Sequence, residues 1–254
     1  MSALFSLGTL SEEDRRALAR YEDMLWQCRD GRPRFSSFLD PRQQQLAEAA
    51  VQRADWEQWA FWGGCAQAER RMLCLYDGEP VPPAQFPLSG LTVSSRDAFG
   101  HRDLLGALIH LGVGRECVGD ILPTQDGAIV FVQSTVERTV REELRRVGRA
   151  AVSVGSAGPE TDCQAEQPAE ITGTVSSPRV DAVLSLAMRL SREKAQALVR
   201  AGLVQRNHAP CPSVSALLQQ GDVLSVRGFG RCVVARLGGA SRKGRLFVTV
   251  RVLG

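Results

Sequence analysis

Apolar residues recur at helical spacing near the start of the chain, at Leu18, Tyr21, Leu25 and Trp26. Ser11 stands just ahead of them, followed by Glu12, Glu13 and Asp14. A capping hydroxyl and then acids suit the positive end of a helix macrodipole. Asp40-Pro41 repeats the signal as an N-cap and first-turn pair and opens a second helix toward Arg53. Trp56, Trp59, Phe61 and Trp62 follow as an aromatic cluster before Gly63-Gly64, and a packed core edge accounts for them better than a base-stacking platform. The pattern predicts a helical N-terminal region over residues 1–66.

Beyond Arg70 the period changes. RRMLCLY and GLTVSS have strand character. Leu104, Leu105, Leu108, Ile109 and Leu111 restore a helical stripe that Gly112 ends. VGDIL and AIVFV flank the turn-forming TQDG, a hairpin signal. Ser134 or Thr135 caps a helix over VERTVREELRRV, and AAVSV supplies a last strand. The order strand, helix, strand, strand, helix, strand over 67–155 is the split βαβ arrangement of RRM-like (ferredoxin-like βαββαβ) domains. Its expected central strand carries only Phe131 where base-stacking aromatics would stand, so the domain is expected to meet protein or RNA shape. Residues 156–176 mix small, polar, acidic and proline residues without period and are expected to be a linker.

From Ser177 to the end, periodicity predicts two short helices backed by β structure. Ser177-Pro178 reads as N-cap and first turn, with Val180, Val183, Leu184 and Ala187 on one face. Ser191 caps the second helix, Glu193 lies in its first turn, Arg200 in its last, and Gly202 stops it. Ala195, Leu198 and Val199 form the inward stripe, which leaves Gln196 and Arg200 outward and Arg192 and Lys194 beside it. LVQRN, QQGDVLSVRGFGRCVVARL and SRKGRLFVTVRV continue as strands, with Gly221-Asp222 at a turn. Asp181, Asn207 and Asp222 read as structural, holding helix, turn and strand geometry.

Charge sharpens this picture. The 254 residues carry a net charge of +3. From Ser177 onward, however, 13 Lys and Arg face three acids, a net of +10. The first 176 residues hold 18 basic and 25 acidic side chains, a net of −7. A basic tail of this kind meets a polyanion. Apolar residues make up 44% and charged residues 23%, a globular composition. No apolar run is long enough to span a bilayer, and the N-terminus lacks the basic region of a signal peptide. Seven cysteines with no CxxC pair suggest neither a disulfide framework nor a zinc cage and point to the reducing cytosol.

Two apparent catalytic motifs fail. His101-Arg102-Asp103 has the letters of a kinase catalytic loop, but the magnesium-binding Asn five residues on is Leu108, and no DFG follows. The stretch begins an amphipathic helix instead. GVGREC lies between a helix and a strand, the reverse of the dinucleotide fingerprint, and its third glycine position is Cys117. Asp120 reads as a turn or strand-entry residue rather than a catalytic acid. No cofactor or metal and no catalytic residue is expected.

The short helical pair with arginines at its ends resembles the S4 RNA-binding domain. The resemblance rests on Arg179-Val180-Asp181, Ser191-Arg192, Ala201-Gly202-Leu203-Val204, Asn207, Gly221-Asp222 and Val226-Arg227-Gly228-Phe229-Gly230-Arg231. FLDP at 38–41, GG at 63–64, AER at 68–70, HRDLLGAL with LGVGRE, and VGDIL extend it to the bacterial YlmH-type S4 proteins. The implied fold class is α+β: an N-terminal helical segment, an RRM-like middle domain and, over 177–254, a C-terminal S4 RNA-binding domain with a β extension. The implied partners are ribosomal RNA of the large subunit and tRNA, with a part in ribosome-associated quality control of stalled nascent chains or in cell division. A cytoplasmic monomer with no membrane contact is expected.

The residues expected to meet RNA are Arg179, Arg189, Ser191, Arg192, Lys194, Gln196, Arg200, Arg206, Arg227, Arg231, Arg242, Lys243 and Arg245, with His101 and Arg102 as a secondary contact. Guanidinium groups pair with phosphates in planar, bidentate fashion, and helix N-termini add free N–H groups. For each arginine alone, a solvated surface charge is the competing reading. Two other function classes stay open. One is an RNA-modifying enzyme, a pseudouridine synthase or methyltransferase, although neither a Gly-Arg-Leu-Asp type motif nor a strand leading into a Gly-rich cofactor turn is found. The other is a protein-interaction adaptor.

Overall fold

The computed structural model describes residues 10–157, 169–207, 209–211, 213–240 and 244–253. The chain divides between residues 165 and 166 into two compact units of mixed α and β structure with antiparallel sheets.

The first unit opens with α1 (Glu12–Cys28), whose cap is reciprocal: Ser11 Oγ accepts from the Asp14 N–H at 3.1 Å, and Asp14 accepts from the Ser11 N–H. Leu18, Tyr21 and Leu25 are buried as expected, but Trp26 is 74% exposed and lies off the buried stripe. The second expected helix is α2 (Pro41–Arg53), capped by Asp40 with Gln43 bonding back. The region is not wholly helical. β1 (Arg34–Leu39), β2 (Trp59–Trp62) and β3 (Arg71–Leu75) form a sheet ordered β1-β3-β2. The strand expected at RRMLCLY is thus present, but its partners are β1 and β2. A register shift between Phe35 and Phe38 hides β1 from an alternation test, and Ser36 there is buried, accepting the Leu73 N–H at 2.8 Å.

A second sheet has the order β5-β6-β4-β9, from β4 (Leu88–Ser94), β5 (Val118–Thr124), β6 (Gly127–Gln133) and β9 (Ser153–Ser156). Helices α3 (His101–His110) and α4 (Ser134–Glu143) interrupt the strands. Gly112, at φ +82°, ends α3 where expected. The helix α4 is shorter than the periodicity suggests. It stops at Glu143, and the chain turns through a small hairpin of β7 (Arg146–Val147) and β8 (Ala150–Ala151). Gly148 supplies the left-handed turn residue at φ +58°, and burial of Val147 and Ala150 outweighs another helical turn.

The two faces of this sheet have different neighbours. Leu91, Val93, Val118, Val130 and Val132 pack with Leu104, Leu108 and Val140 of α3 and α4. Ile129 and Phe131 point the other way and pack with Phe38, Met72, Cys74 and Phe86. Phe131 is buried so closely against Gly64 that a Cβ there would lie 2.2 Å from its ring. The two sheets are also bonded at their junction. Asp120 accepts the backbone N–H groups of Glu69 and Arg70, while the Arg70 guanidinium donates to the carbonyls of Val118, Phe38 and Arg115.

The second unit comprises β10 (Ala169–Val175), α5 (Val180–Ala187), α6 (Arg192–Arg200), β11 (Val204–Arg206), β12 (Ala209–Pro210), β13 (Val223–Val226), β14 (Gly230–Ala240) and β15 (Leu246–Leu253). One sheet takes all six strands in the order β10-β15-β14-β13-β11-β12. The strand β10 falls inside the stretch expected to be a linker. Its alternation seats Ile171 and Val175 in the core, and it pairs with β15 along its length. The middle of that stretch, 158–168, lies outside the described residues. Both helices cover one face of the sheet, with Val183, Leu184, Ala195 and Val199 packed on Leu224, Val234, Val248 and Val250.

Candidate nucleic-acid interface

The centre of the site is a carboxylate. Arg179, rather than Ser177, is the N-cap of α5, so Pro178 stays outside the helix and Asp181 falls in the first turn. That placement buries Asp181 completely. It accepts Arg179 Nε at 3.2 Å, Arg192 Nη2 at 3.2 and 3.3 Å, and Gln196 Nε2 at 2.8 Å. Burial alone would raise its pKa. The hydrogen bonds from Gln196, Arg179 and Arg192, with the Arg192 charge, outweigh that and hold it below the ordinary aspartate value. The arginines still reach solvent, Arg179 with 36% and Arg192 with 51% of its side chain exposed. A buried anion thus fixes two cations that present outward, and a guanidinium has donors left for a second partner.

The first turn of α6 sets the rest. Ser191 Oγ accepts the Lys194 N–H at 3.2 Å, fixing the helix start as its sequence predicts. Lys194 then lies over the ring of Phe229, Nζ 5.4 Å from its centroid. Phe229 is 39% exposed on the turn between β13 and β14, beside exposed Arg227. Gln196 is half-buried on Asp181 rather than pointing outward, and Arg200 donates to its Oε1 at 3.4 Å. Arg179, Arg192, Gln196 and Arg200 therefore form one linked set, and Lys194 adjoins the Phe229 turn.

The other predicted residues are placed differently. Arg206 pairs with Asp222 at 2.7 Å. Asp222 also accepts from Asn207 and the Gln219 N–H, closing a buried support under the β11 turn. Arg189 is exposed at φ +50°, just after α5. Arg231 is the second residue of β14, opposite Ser225. Arg245 lies at the far end of the β14–β15 ladder and donates to the Thr174 carbonyl. Arg242 and Lys243 lie outside the described residues. His101 and Arg102 are exposed in the first turn of α3, in the other unit. Phe229 was not among the expected contacts. Its signal is an aromatic residue flanked by glycines and arginines in Arg227-Gly228-Phe229-Gly230-Arg231.

The chain is similar to known proteins over most of its length. Residues 94–160 match the family model described as a putative RNA-binding domain in YlmH. The chain is 35% identical over 228 residues to the ribosome-associated protein quality control protein P2 of Bacillus subtilis, covering 86% of each chain. Its fold is similar to that of the cell division protein ylmH from Streptococcus pneumoniae, with a TM-score of 0.52 and 20% identity over 59% of this chain and 93% of that one. With this identity over most of both lengths, the chain belongs to the YlmH family.

Proposed function

We propose that the protein binds structured RNA of the large ribosomal subunit, and tRNA held there, through an S4-type module over residues 177–254, and that it serves the quality control of stalled nascent chains without catalysing a reaction. The observation that carries this reading is the Asp181 network. A fully buried carboxylate is costly unless its partners repay it, and here the repayment leaves two guanidiniums fixed beside a helix start. Fixed guanidiniums suit the spaced phosphates of an A-form helix, whose deep major groove side chains cannot read. Exposed Phe229 adds a surface on which an unpaired base can stack. The Bacillus relative's name supplies the ribosomal setting.

The test is binding of labelled, protein-free large-subunit RNA by the full chain and by Arg179→Ala/Arg192→Ala, titrated with KCl. With about five phosphate contacts, log affinity should fall with log salt at a slope of about 3.5–4.5, and the variant should lose about 1.5 of it. An unchanged slope in a folded variant would remove these arginines from the RNA face.

A further inference from the structure

In an RRM-like domain the open sheet face would be the obvious place for RNA. Here Ile129 and Phe131 on that face are buried against Phe38, Met72, Cys74 and Phe86. Bases cannot stack there in the folded protein. The positive charge of this unit is exposed elsewhere. Arg145, Arg146 and Arg149 are all exposed on the β7–β8 hairpin, and none forms an ion pair among the described residues. Buried Val147 anchors the hairpin in the core that holds Leu104 and Leu108 of α3. Its turn lies over the first turn of that helix, where a Cβ on Gly148 would come within 3.9 Å of Asp103. Exposed His101 and Arg102 stand beside Asp103. Arg146 Nη2 donates to the Arg149 carbonyl at 3.1 Å, which aligns its side chain along the turn.

We infer that the β7–β8 hairpin, with Arg102 beside it, is a second RNA-binding surface that grips the phosphate backbone independently of the Asp181 site. Three arginines within five residues form a local charge of +3 on a short, anchored hairpin. The acids around it are few: Asp103 accepts the Gly100 N–H at 2.9 Å and keeps its charge, and Glu142 pairs with Arg138. Glu143 is the exposed acid left next to the hairpin. Every cation in the hairpin is arginine, the side chain suited to bidentate phosphate contact, and its larger apolar residue, Val147, is buried together with Ala150. Contact here is to backbone, so it adds affinity without base preference.

The inference rests on the reading that the chain binds RNA, and the experiment separates the two. Full-length protein, Arg145→Ala/Arg146→Ala/Arg149→Ala and Arg179→Ala/Arg192→Ala are titrated with labelled, protein-free large-subunit RNA across KCl concentrations. The triple variant is expected to bind about tenfold more weakly at moderate salt, with a slope lower by about 2. The matching triple lysine variant should retain the slope, which guards against a folding artefact. Loss in both alanine variants supports both surfaces. Loss in the Arg179/Arg192 variant alone overturns the hairpin while keeping the proposed function. Loss in the triple variant alone does the opposite. Absence of binding by the unmodified protein overturns both.

Discussion

Replacing Asp181 by asparagine separates the amount of positive charge from its placement. The substitution removes one negative charge, so a count of charges alone predicts tighter RNA binding. The geometry predicts the reverse. Asp181 holds Arg179 and Arg192 through three charge-assisted contacts at 3.2–3.3 Å and Gln196 through a fourth at 2.8 Å. Hydrogen bonds to a charged group contribute about 1.5–3 kcal/mol and neutral ones about 0.5–1.5 kcal/mol. Both guanidiniums are partly exposed and can take water instead, which reduces the loss to about 1–3 kcal/mol in total. For a domain of this size that lowers Tm by about 5–20 °C. Once released, the arginines spend part of their time away from the phosphates, so the salt slope should fall by about 1. The assay is thermal unfolding of Asp181→Asn beside an RNA titration well below its Tm. Equal or tighter binding with an undiminished slope would refute the positioning role.

Four further outcomes follow from the same structure. Because the folded pKa of Asp181 is depressed, its stabilisation is complete above the unfolded value of about 4 and is lost as pH falls through the folded value. Acid unfolding of Asp181→Asn should therefore lack part of the loss the unmodified protein shows below about pH 4. Ser191→Ala removes the acceptor for the Lys194 N–H and should cost about 1 kcal/mol in chemical denaturation. Phe131→Ala should cost about 3–5 kcal/mol yet leave the RNA affinity of the still-folded fraction unchanged; weakened binding would mean that the sheet face does open to RNA. Gly64→Ala places a Cβ in the Phe131 ring at φ +100° and should destabilise the first unit by about 3 kcal/mol or more, read by the same denaturation curve.

What the sequence showed and hid follows from the range of each interaction. Caps are local, so Asp40-Pro41 and Ser191 placed two helix starts correctly. The Ser177-Pro178 pair misled because a bridge between Arg179 and Leu217 holds that stretch extended until Arg179. The strand β1 escaped notice because its bulge at Ser36-Ser37 breaks the alternation. The strand β7 lay inside what read as a helix, since Leu144 and Val147 also fit a helical stripe, while Ala150-Ala151 of β8 fell at the start of what read as the last strand. In the site, the residue types were legible but not their wiring. Asp181 reads as structural from its place in a first turn, yet three of the hydrogen bonds it accepts come from residues 11 and 15 positions away. Arg206 looks like any other arginine of the basic tail until the fold sets it against Asp222.

The most direct measurement is ultraviolet crosslinking of the full chain to purified large ribosomal subunits, with the crosslinked peptides identified by mass spectrometry. The account predicts crosslinks in residues 179–200 and at the Phe229 turn. A protein that sediments with the subunit while every crosslink falls within residues 10–94, or one that does not sediment with it at all, would contradict it.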